Sequence, residues 1–154
     1  MKKITFLFAF LSVAFFANAQ SNNEEVDFYQ SIFGMEKKAV VADFLNLEES
    51  NPFWALYDEY EAERKELGKD RILTLAFYAN NYDKMDDAKN DEIIKSMISL
   101  RNANDKLIDK YYKKIKKVSG SKVAAQFFQL ESYFLSEIRT NIMEGIPFIG
   151  DFSN

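Results

Sequence analysis

The chain has 154 residues and a formal net charge of −4 at pH 7, and it contains neither histidine nor cysteine. The absence of imidazole and thiol groups excludes Ser-His-Asp and Cys-His nucleophile systems, zinc sites with nitrogen and sulfur ligands, haem held by histidine, and thiol redox chemistry. The acidic balance disfavours a nucleic-acid partner.

The first twenty residues have the pattern of a cleaved secretory signal peptide. Lys2 and Lys3 give a basic start, an apolar stretch follows from Ile4 to Phe16, and Ala17-Asn18-Ala19 has the small residues that a signal peptidase requires. The apolar stretch is shorter than the roughly 20 residues of a spanning helix, and no cysteine follows that could carry a lipid. We therefore predict a signal peptide over residues 1–19, with an uncleaved N-terminal anchor as the alternative.

Export would place the remaining chain, residues 20–154, in the periplasm or outside the cell as a single domain. The signal peptide carries two lysines and no acidic residue, so the mature chain is more acidic than the whole. It contains no glycine-rich phosphate loop, nucleophile elbow or EF-hand. We expect no enzyme activity, no cofactor, no bound metal and no stable membrane insertion.

Between Glu24 and Ile142 the apolar residues recur three or four positions apart, which predicts an all-α fold of four helices. The first helix is predicted from about Val26 to Phe44, with Gly34 as a position where it could divide. The second is predicted from Asn51-Pro52 to about Met85. Asparagine is a good N-cap, and proline at the first helical position lacks only an N–H that has no helical partner there. Gly68 is the expected place for a bend or break.

An acidic turn, from Asp83 to Asp91, leads into the third helix, which is predicted to end at about Val118. Acids at its start and lysines in its last turns give the charge order that the helix dipole favours. The turn lacks the glycine and the terminal glutamate of a calcium loop, so we interpret its aspartates as helix caps.

Ser119-Gly120-Ser121 predicts a break in the chain, after which the fourth helix runs to about Met143. The apolar tail Ile146–Phe152 is expected to pack against the body of the domain. The predicted architecture is an elongated or cradle-like bundle with a long second and a long third helix.

This helix order resembles that of the periplasmic chaperone family that includes Spy and CpxP. In that family two Leu-Thr-x-x-Gln motifs each open a helix, and here Leu45–Asn51 and Val118–Lys122 stand in their places. The acidic turn and the long helix after it also resemble the family. Neither motif retains its Thr or Gln, and Ser119 is the only hydroxyl cap that remains. The resemblance covers residues 45–140.

The resemblance implies a fold and an activity. Members of that family form thin, cradle-shaped antiparallel dimers, whose concave face of basic and apolar residues holds unfolded or partly folded proteins without ATP or a cofactor. We therefore expect an exported chaperone-like stress protein, with a homodimer as an implied state. The alternative is a regulatory adaptor that binds one envelope sensor or signalling protein. A structural or accessory subunit of an exported complex is a third interpretation.

The candidate protein-binding residues are aromatic and basic side chains of the second and third helices. Each has a plainer explanation. The tyrosines of the second helix could be core edges with solvated hydroxyls, its arginines could be solvated or paired with Glu61 or Glu63, and its tryptophan could plug one end of the bundle. The tyrosines beside the lysine run could belong to a solvated helix end. The candidates are Trp54, Tyr57, Tyr60, Arg64, Arg71, Tyr111 and Tyr112.

Overall fold

The computed structural model describes residues 23–150, and the predicted signal peptide lies outside this part of the chain. It contains three α-helices: α1 spans Asn23–Leu45, α2 spans Phe53–Asn81 and α3 spans Asp87–Gly145, with a short 3-10 turn at Tyr82–Lys84. No strand occurs within residues 23–150. The all-α prediction is confirmed, whereas the predicted count of four helices is wrong, because one long element stands in place of the last two.

The last two predicted helices are two arms of α3, which reverses direction at Gly120. This residue has φ 85° and ψ 169°, outside the helical region, and it is the only non-helical position within α3. The carboxylate of Asp105 lies 3.6 Å from the guanidinium of Arg139, although a straight helix would hold the two residues about 50 Å apart. Residues 87–119, the first arm, therefore pack antiparallel to residues 121–145, the second arm. The predicted break is in the right place. The chain reverses direction there at Gly120 alone, without a connecting loop.

Short polar side chains begin α2 and α3. Asn51 Oδ1 accepts a hydrogen bond from the Phe53 amide at 2.9 Å, and Pro52 between them has helical angles of φ −61° and ψ −11°. Asp86 Oδ1 accepts from the Lys89 amide at 2.9 Å. Such caps satisfy amides that have no partner within the helix. The capping role predicted for Asn51 is confirmed, and the acidic turn supplies the cap of α3.

Neither Gly34 nor Gly68 interrupts its helix. α1 runs through Gly34 and α2 runs through Gly68, so the bend predicted at Gly68 is wrong. A Cβ atom at position 68 would lie 2.6 Å from the side-chain amide of Gln30. The glycine therefore allows α1 and α2 to approach closely and leaves the direction of α2 unchanged. α2 ends at Asn81, before the predicted Met85, because the chain tightens there into the 3-10 turn.

The core is built largely from aromatic rings of α2 and of both arms of α3. The Tyr60 ring centroid lies 5.5 Å from that of Tyr111 and 5.1 Å from that of Phe127, both in edge-to-face orientations. Phe53 and Tyr57, one turn apart on α2, stack at 5.5 Å and are fully buried. Aromatic pairs of this kind add about 0.5–1.5 kcal/mol each beyond the burial of their area. This core fixes α2 against the two arms.

The tail after α3 is attached to the bundle through its backbone. Tyr78 donates a hydrogen bond from its hydroxyl to the Pro147 carbonyl at 2.8 Å. Phe148 and Ile149, the next residues, are exposed. The expected packing of the tail thus holds at Pro147, and the predicted end of the tail at Phe152 lies beyond the described residues.

Gly120→Ala is expected to lower the free energy of unfolding by about 1–3 kcal/mol, because the backbone angles at this position are accessible almost only to glycine. A methyl group added at this position would have no atom within 4 Å, so the cost is conformational rather than steric. Gly145→Ala is the matched control, since its added methyl also meets nothing within 4 Å and its φ is not positive. Urea unfolding followed by circular dichroism measures both variants, and equal stabilities would contradict the role given to Gly120.

Candidate functional site

Three of the candidate residues on α2 lie inside the bundle. Tyr57, Tyr60 and Arg64 are all buried, so they do not form a basic and aromatic surface open to solvent. Arg64 is paired with Glu61, with its Nε 2.9 Å from the carboxylate. These three positions therefore form no exposed patch, because α1 and both arms of α3 pack against this face of α2. The alternative explanation, an arginine paired with Glu61, describes Arg64.

The centre of this region is a buried lysine that was not among the candidates predicted from the sequence. Lys37 of α1 is 1% exposed, and its ammonium lies 2.5 Å from Glu61 Oε1 and 2.7 Å from Glu131 Oε2. Glu131 belongs to the second arm of α3 and is also buried. Tyr60 donates a hydrogen bond to the same Glu131 oxygen at 2.6 Å. One cation thus joins α1, α2 and α3.

Aromatic rings surround the Lys37 ammonium. Its Nζ lies 5.7 Å from the ring centroid of Tyr57, 5.1 Å from that of Tyr60 and 5.5 Å from that of Phe134. An ammonium within about 6 Å of a ring face is attracted by the ring quadrupole, most strongly when water is excluded. The three rings and the two carboxylates together form a cage for an ammonium group, which we call the lysine cage (Tyr57, Tyr60, Glu61, Glu131 and Phe134).

The low-dielectric surroundings favour neutral forms of the groups around the cage. Burial raises the pKa of the Glu131 carboxyl, and the Lys37 ammonium opposes that rise. Burial also raises the pKa of the Tyr57 and Tyr60 hydroxyls well above the usual value, with the charge of Glu131 adding to the effect. Both hydroxyls therefore stay protonated at neutral pH, and Tyr60 remains a donor to Glu131.

A signal for the cage is present in the sequence. Lys37 stands four residues after Phe33 and four before Val41, on the stripe of α1 that is buried. Glu131 likewise lies between the buried residues Phe127 and Phe134. A charged residue in register with an apolar stripe is buried only when it is paired. Lys37 and Glu131 are two such residues of opposite charge, and their positions were the available sign of a buried ion pair.

A cavity of about 10 Å³ lies beneath α1, next to the cage. Its lining includes Arg64, Arg71, Asn104 and Glu131. The volume suits about one water molecule and is too small for an organic ligand. Burial, with help from the nearby arginines, lowers the pKa of Arg71 to about 10, so its guanidinium stays charged at neutral pH. The candidate Arg71 therefore lines this small cavity.

Trp54 is held at the end of the bundle where α2 begins. Its indole N–H donates to the Glu48 carbonyl at 3.1 Å, and its ring packs edge-on against Phe53 with centroids 5.0 Å apart. The side chain is partly buried against the core. These contacts agree with the plainer explanation for Trp54, that it plugs one end of the bundle, and not with an exposed residue that binds a partner.

The two neighbouring tyrosines of the third-helix candidates have different environments. Tyr111 is buried and donates from its hydroxyl to Glu63 Oε1 at 2.7 Å. Tyr112 is partly buried and packs edge-on against the exposed ring of Phe128, with centroids 6.0 Å apart. Lys116 lies over the Tyr112 ring, with its Nζ 5.8 Å from the centroid. Among the tyrosine candidates, only Tyr112 thus contributes to an aromatic and basic surface.

One exposed apolar surface of α3 was not among the candidates. Ile94, Met97 and Ile98 occupy one face of the first arm, at the spacing that brings side chains together on a helix. We call these three residues the apolar arm face. Seven large apolar side chains of α3 are 39–49% exposed. They are the three residues of the apolar arm face and Val118, Phe128, Tyr133 and Met143. Their signal in the sequence is the helical periodicity of apolar residues from which the third helix was predicted.

No family model matches the chain, and neither the curated proteins nor the solved structures contain a significant match to it. Within residues 23–150, none of the helices is both long enough and apolar enough to cross a membrane. The same part of the chain contains no group of three or more His, Cys, Asp or Glu side chains that could hold a metal ion.

Lys37→Met is expected to lower the free energy of unfolding by about 3–5 kcal/mol, because the buried Glu131 carboxylate would remain in the core without a cation, while Glu61 would keep only Arg64. Lys38→Met is the matched control, since the next lysine binds Asp58 at the surface, where such pairs contribute about 0–1 kcal/mol. Urea unfolding of both variants gives the comparison.

The double variant Lys37→Met, Glu131→Met separates the effect of the ion pair from the effect of removing one of its charges. Removing both charges relieves the uncompensated Glu131 carboxylate, so the double variant is expected to be more stable than Lys37→Met alone. A double variant that is no more stable than the single one would contradict the pairing.

Proposed function

We propose that this protein is an exported, ATP-independent protein-binding protein that holds unfolded or partly folded polypeptides, as a chaperone-like stress protein of the periplasm. The single observation that carries the proposal is the set of exposed apolar side chains along α3, of which the apolar arm face is the most compact part. Exposed apolar groups in contiguous patches mark interaction surfaces on proteins that otherwise bury them. The resemblance of residues 45–140 to the Spy and CpxP family supports the same activity.

The chemistry of this surface suits loose and varied partners. Met97 and Met143 have unbranched, polarizable side chains, which adapt to differently shaped apolar groups. Lysines near the turn of α3, such as Lys116 and Lys117, are exposed and add a charge that attracts acidic segments. Each contact of this kind is weak, so a bound polypeptide can leave and fold without an energy source.

The proposed activity is tested by light scattering from a reduced, unfolding client protein. Near-stoichiometric amounts of this protein are expected to suppress the scattering of several unrelated clients. Protection that is absent at a several-fold excess would exclude the proposal. Binding to one envelope sensor without such protection would instead identify the regulatory adaptor.

The triple variant Ile94→Gln, Met97→Gln, Ile98→Gln is expected to need at least about threefold more protein for equal protection, because it removes the apolar arm face. Glutamine is a good helix former and these positions are exposed, so little stability should be lost.

The control for this variant carries glutamine on other exposed positions of the same arm, at Lys95, Ser99 and Asn102. It keeps the apolar arm face and is expected to protect clients as well as the original protein. Equal loss in both triple variants would show that the effect comes from the arm in general and not from its apolar face.

A further inference from the structure

Four exposed residues near the start of α3 form a stripe with a charge at each end. Asp91, Ile94, Ile98 and Arg101 follow one another at intervals of three, four and three residues, and this spacing places them on one face of a helix. All four are exposed, the two isoleucines to 45% each. The stripe therefore has an acidic end, an apolar middle that belongs to the apolar arm face, and a basic end. We call these four residues the arm stripe.

The two charges of the arm stripe have no partner in the described chain. Within residues 23–150, neither Asp91 nor Arg101 forms a salt bridge or a side-chain hydrogen bond. Charged groups close to them along the helix are paired: Asp86 binds Lys89 at 3.1 Å, and Asp105 lies 3.6 Å from Arg139. The arm stripe thus keeps one free charge of each sign.

The rest of the described chain leaves this face of the first arm open. The second arm ends at Gly145, close to the level of residue 99, because Arg139 lies beside Asp105. α2 packs on a different face of the first arm, the one that carries Tyr111. The arm stripe spans about 15 Å of helix, and another helix can lie along it without displacing either neighbour.

The order of the four residues makes the arm stripe complementary to itself. When a second copy is related by a two-fold axis and its first arm runs antiparallel, Ile94 of each copy lies opposite Ile98 of the other. The same alignment places Asp91 of each copy opposite Arg101 of the other, because both pairs of positions are centred on residue 96. A parallel alignment would instead bring like charges together at both ends. Two-fold interfaces form each such contact twice.

We propose that the arm stripe is the interface of an antiparallel homodimer, in which a second copy of this chain covers the apolar arm face. The inference rests on the proposed function in one respect, because the covered face is the proposed client surface. Dimerisation and client binding therefore compete for the same side chains. The pairing differs from the dimer implied by the resemblance, in which the dimer itself presents the client-binding face.

The small size of this interface makes the dimer reversible. Each copy contributes three large apolar side chains, those of Ile94, Met97 and Ile98, and interfaces of limited area are weak or transient. The charge pairs at the two ends select the antiparallel register more than they add affinity. An unfolded polypeptide that offers more apolar surface displaces the second copy. The dimer thus shields the apolar arm face until a client is present.

Charge reversal tests the pairing, with sedimentation equilibrium of the exported protein from micromolar to millimolar concentration. The original protein is expected to change from monomer to dimer over this range. Asp91→Arg and Arg101→Asp each bring like charges together twice in the dimer, so each is expected to weaken dimerisation at least about tenfold. Lys106→Asp is the matched control for Arg101→Asp, because it makes the same change of charge at an exposed position outside the stripe. It is expected to dimerise as the original protein does.

A mixture of Asp91→Arg and Arg101→Asp gives the sharper result. In a mixed dimer the introduced arginine faces the introduced aspartate, and the original Arg101 of one copy faces the original Asp91 of the other. Both charge pairs are then attractive, so the mixture is expected to dimerise although neither variant does so alone. All of the changed positions are exposed, and circular dichroism checks that each variant keeps its helices.

Competition with clients is measured by light scattering. At concentrations where the original protein is dimeric, Arg101→Asp is expected to protect clients at least about twofold better, because a larger fraction of it has an open apolar arm face. The Lys106→Asp control is expected to protect clients as the original protein does.

Three outcomes would overturn the inference: an original protein that stays monomeric at every concentration, a mixture no more dimeric than its two components, or equal protection of clients by dimeric and monomeric forms. Failure of the proposed function is distinguishable from these. Protection of clients by a protein that is always monomeric would reject the dimer and support the proposed function. Dimerisation with the predicted charge dependence, but without protection by any variant, would reject the proposed function and leave the arm stripe as a self-association site.

Discussion

The ammonium of Lys37 and the two carboxylates that hold it connect all three helices of the described chain. Taking three charged groups out of water is costly, and the attraction between them offsets that cost only in good geometry with additional hydrogen bonds. Here the Tyr60 hydroxyl and three ring faces add to the attraction, while Glu131 Oε1 has no hydrogen-bond partner. Because the ammonium contacts both carboxylates at once, the cage favours this register of α1 against α2 and α3.

The aromatic core and the charged cage share residues, which couples packing to electrostatics. Tyr60 contacts Tyr111 and Phe127 with its ring and Glu131 with its hydroxyl. Displacing Glu131 would therefore disturb the ring cluster as well as the ion pair. By contrast, the exposed apolar residues of the first arm contribute little to this network. The interior network is thus separate from the exposed apolar residues of the first arm.

Local signals in the sequence were enough to predict the helical class and several helix ends. Asn51 and Gly120 act where their chemistry predicts, because capping and positive φ depend on neighbouring backbone atoms. Gly68 was misinterpreted, because a glycine needed for close approach to another helix looks in sequence like a glycine that ends one. The depth of Tyr57 and Tyr60 could not be predicted from α2 alone, since α1 and both arms of α3 cover them. Lys37 and Glu131 were missed because their burial depends on a partner 94 positions away.

The unequal arms of α3 determine where its apolar surface lies. The first arm, residues 87–119, is longer than the second, residues 121–145, and the contact between Asp105 and Arg139 aligns the end of the second arm near residue 99 of the first. The apolar arm face begins where this neighbour stops, so it is an overhang left by a difference in length. Extending the second arm by two turns would cover about 11 Å of that overhang. The exposed apolar area of this helical hairpin therefore depends on the length of the second arm, and that length can change without any change to the residues of the core.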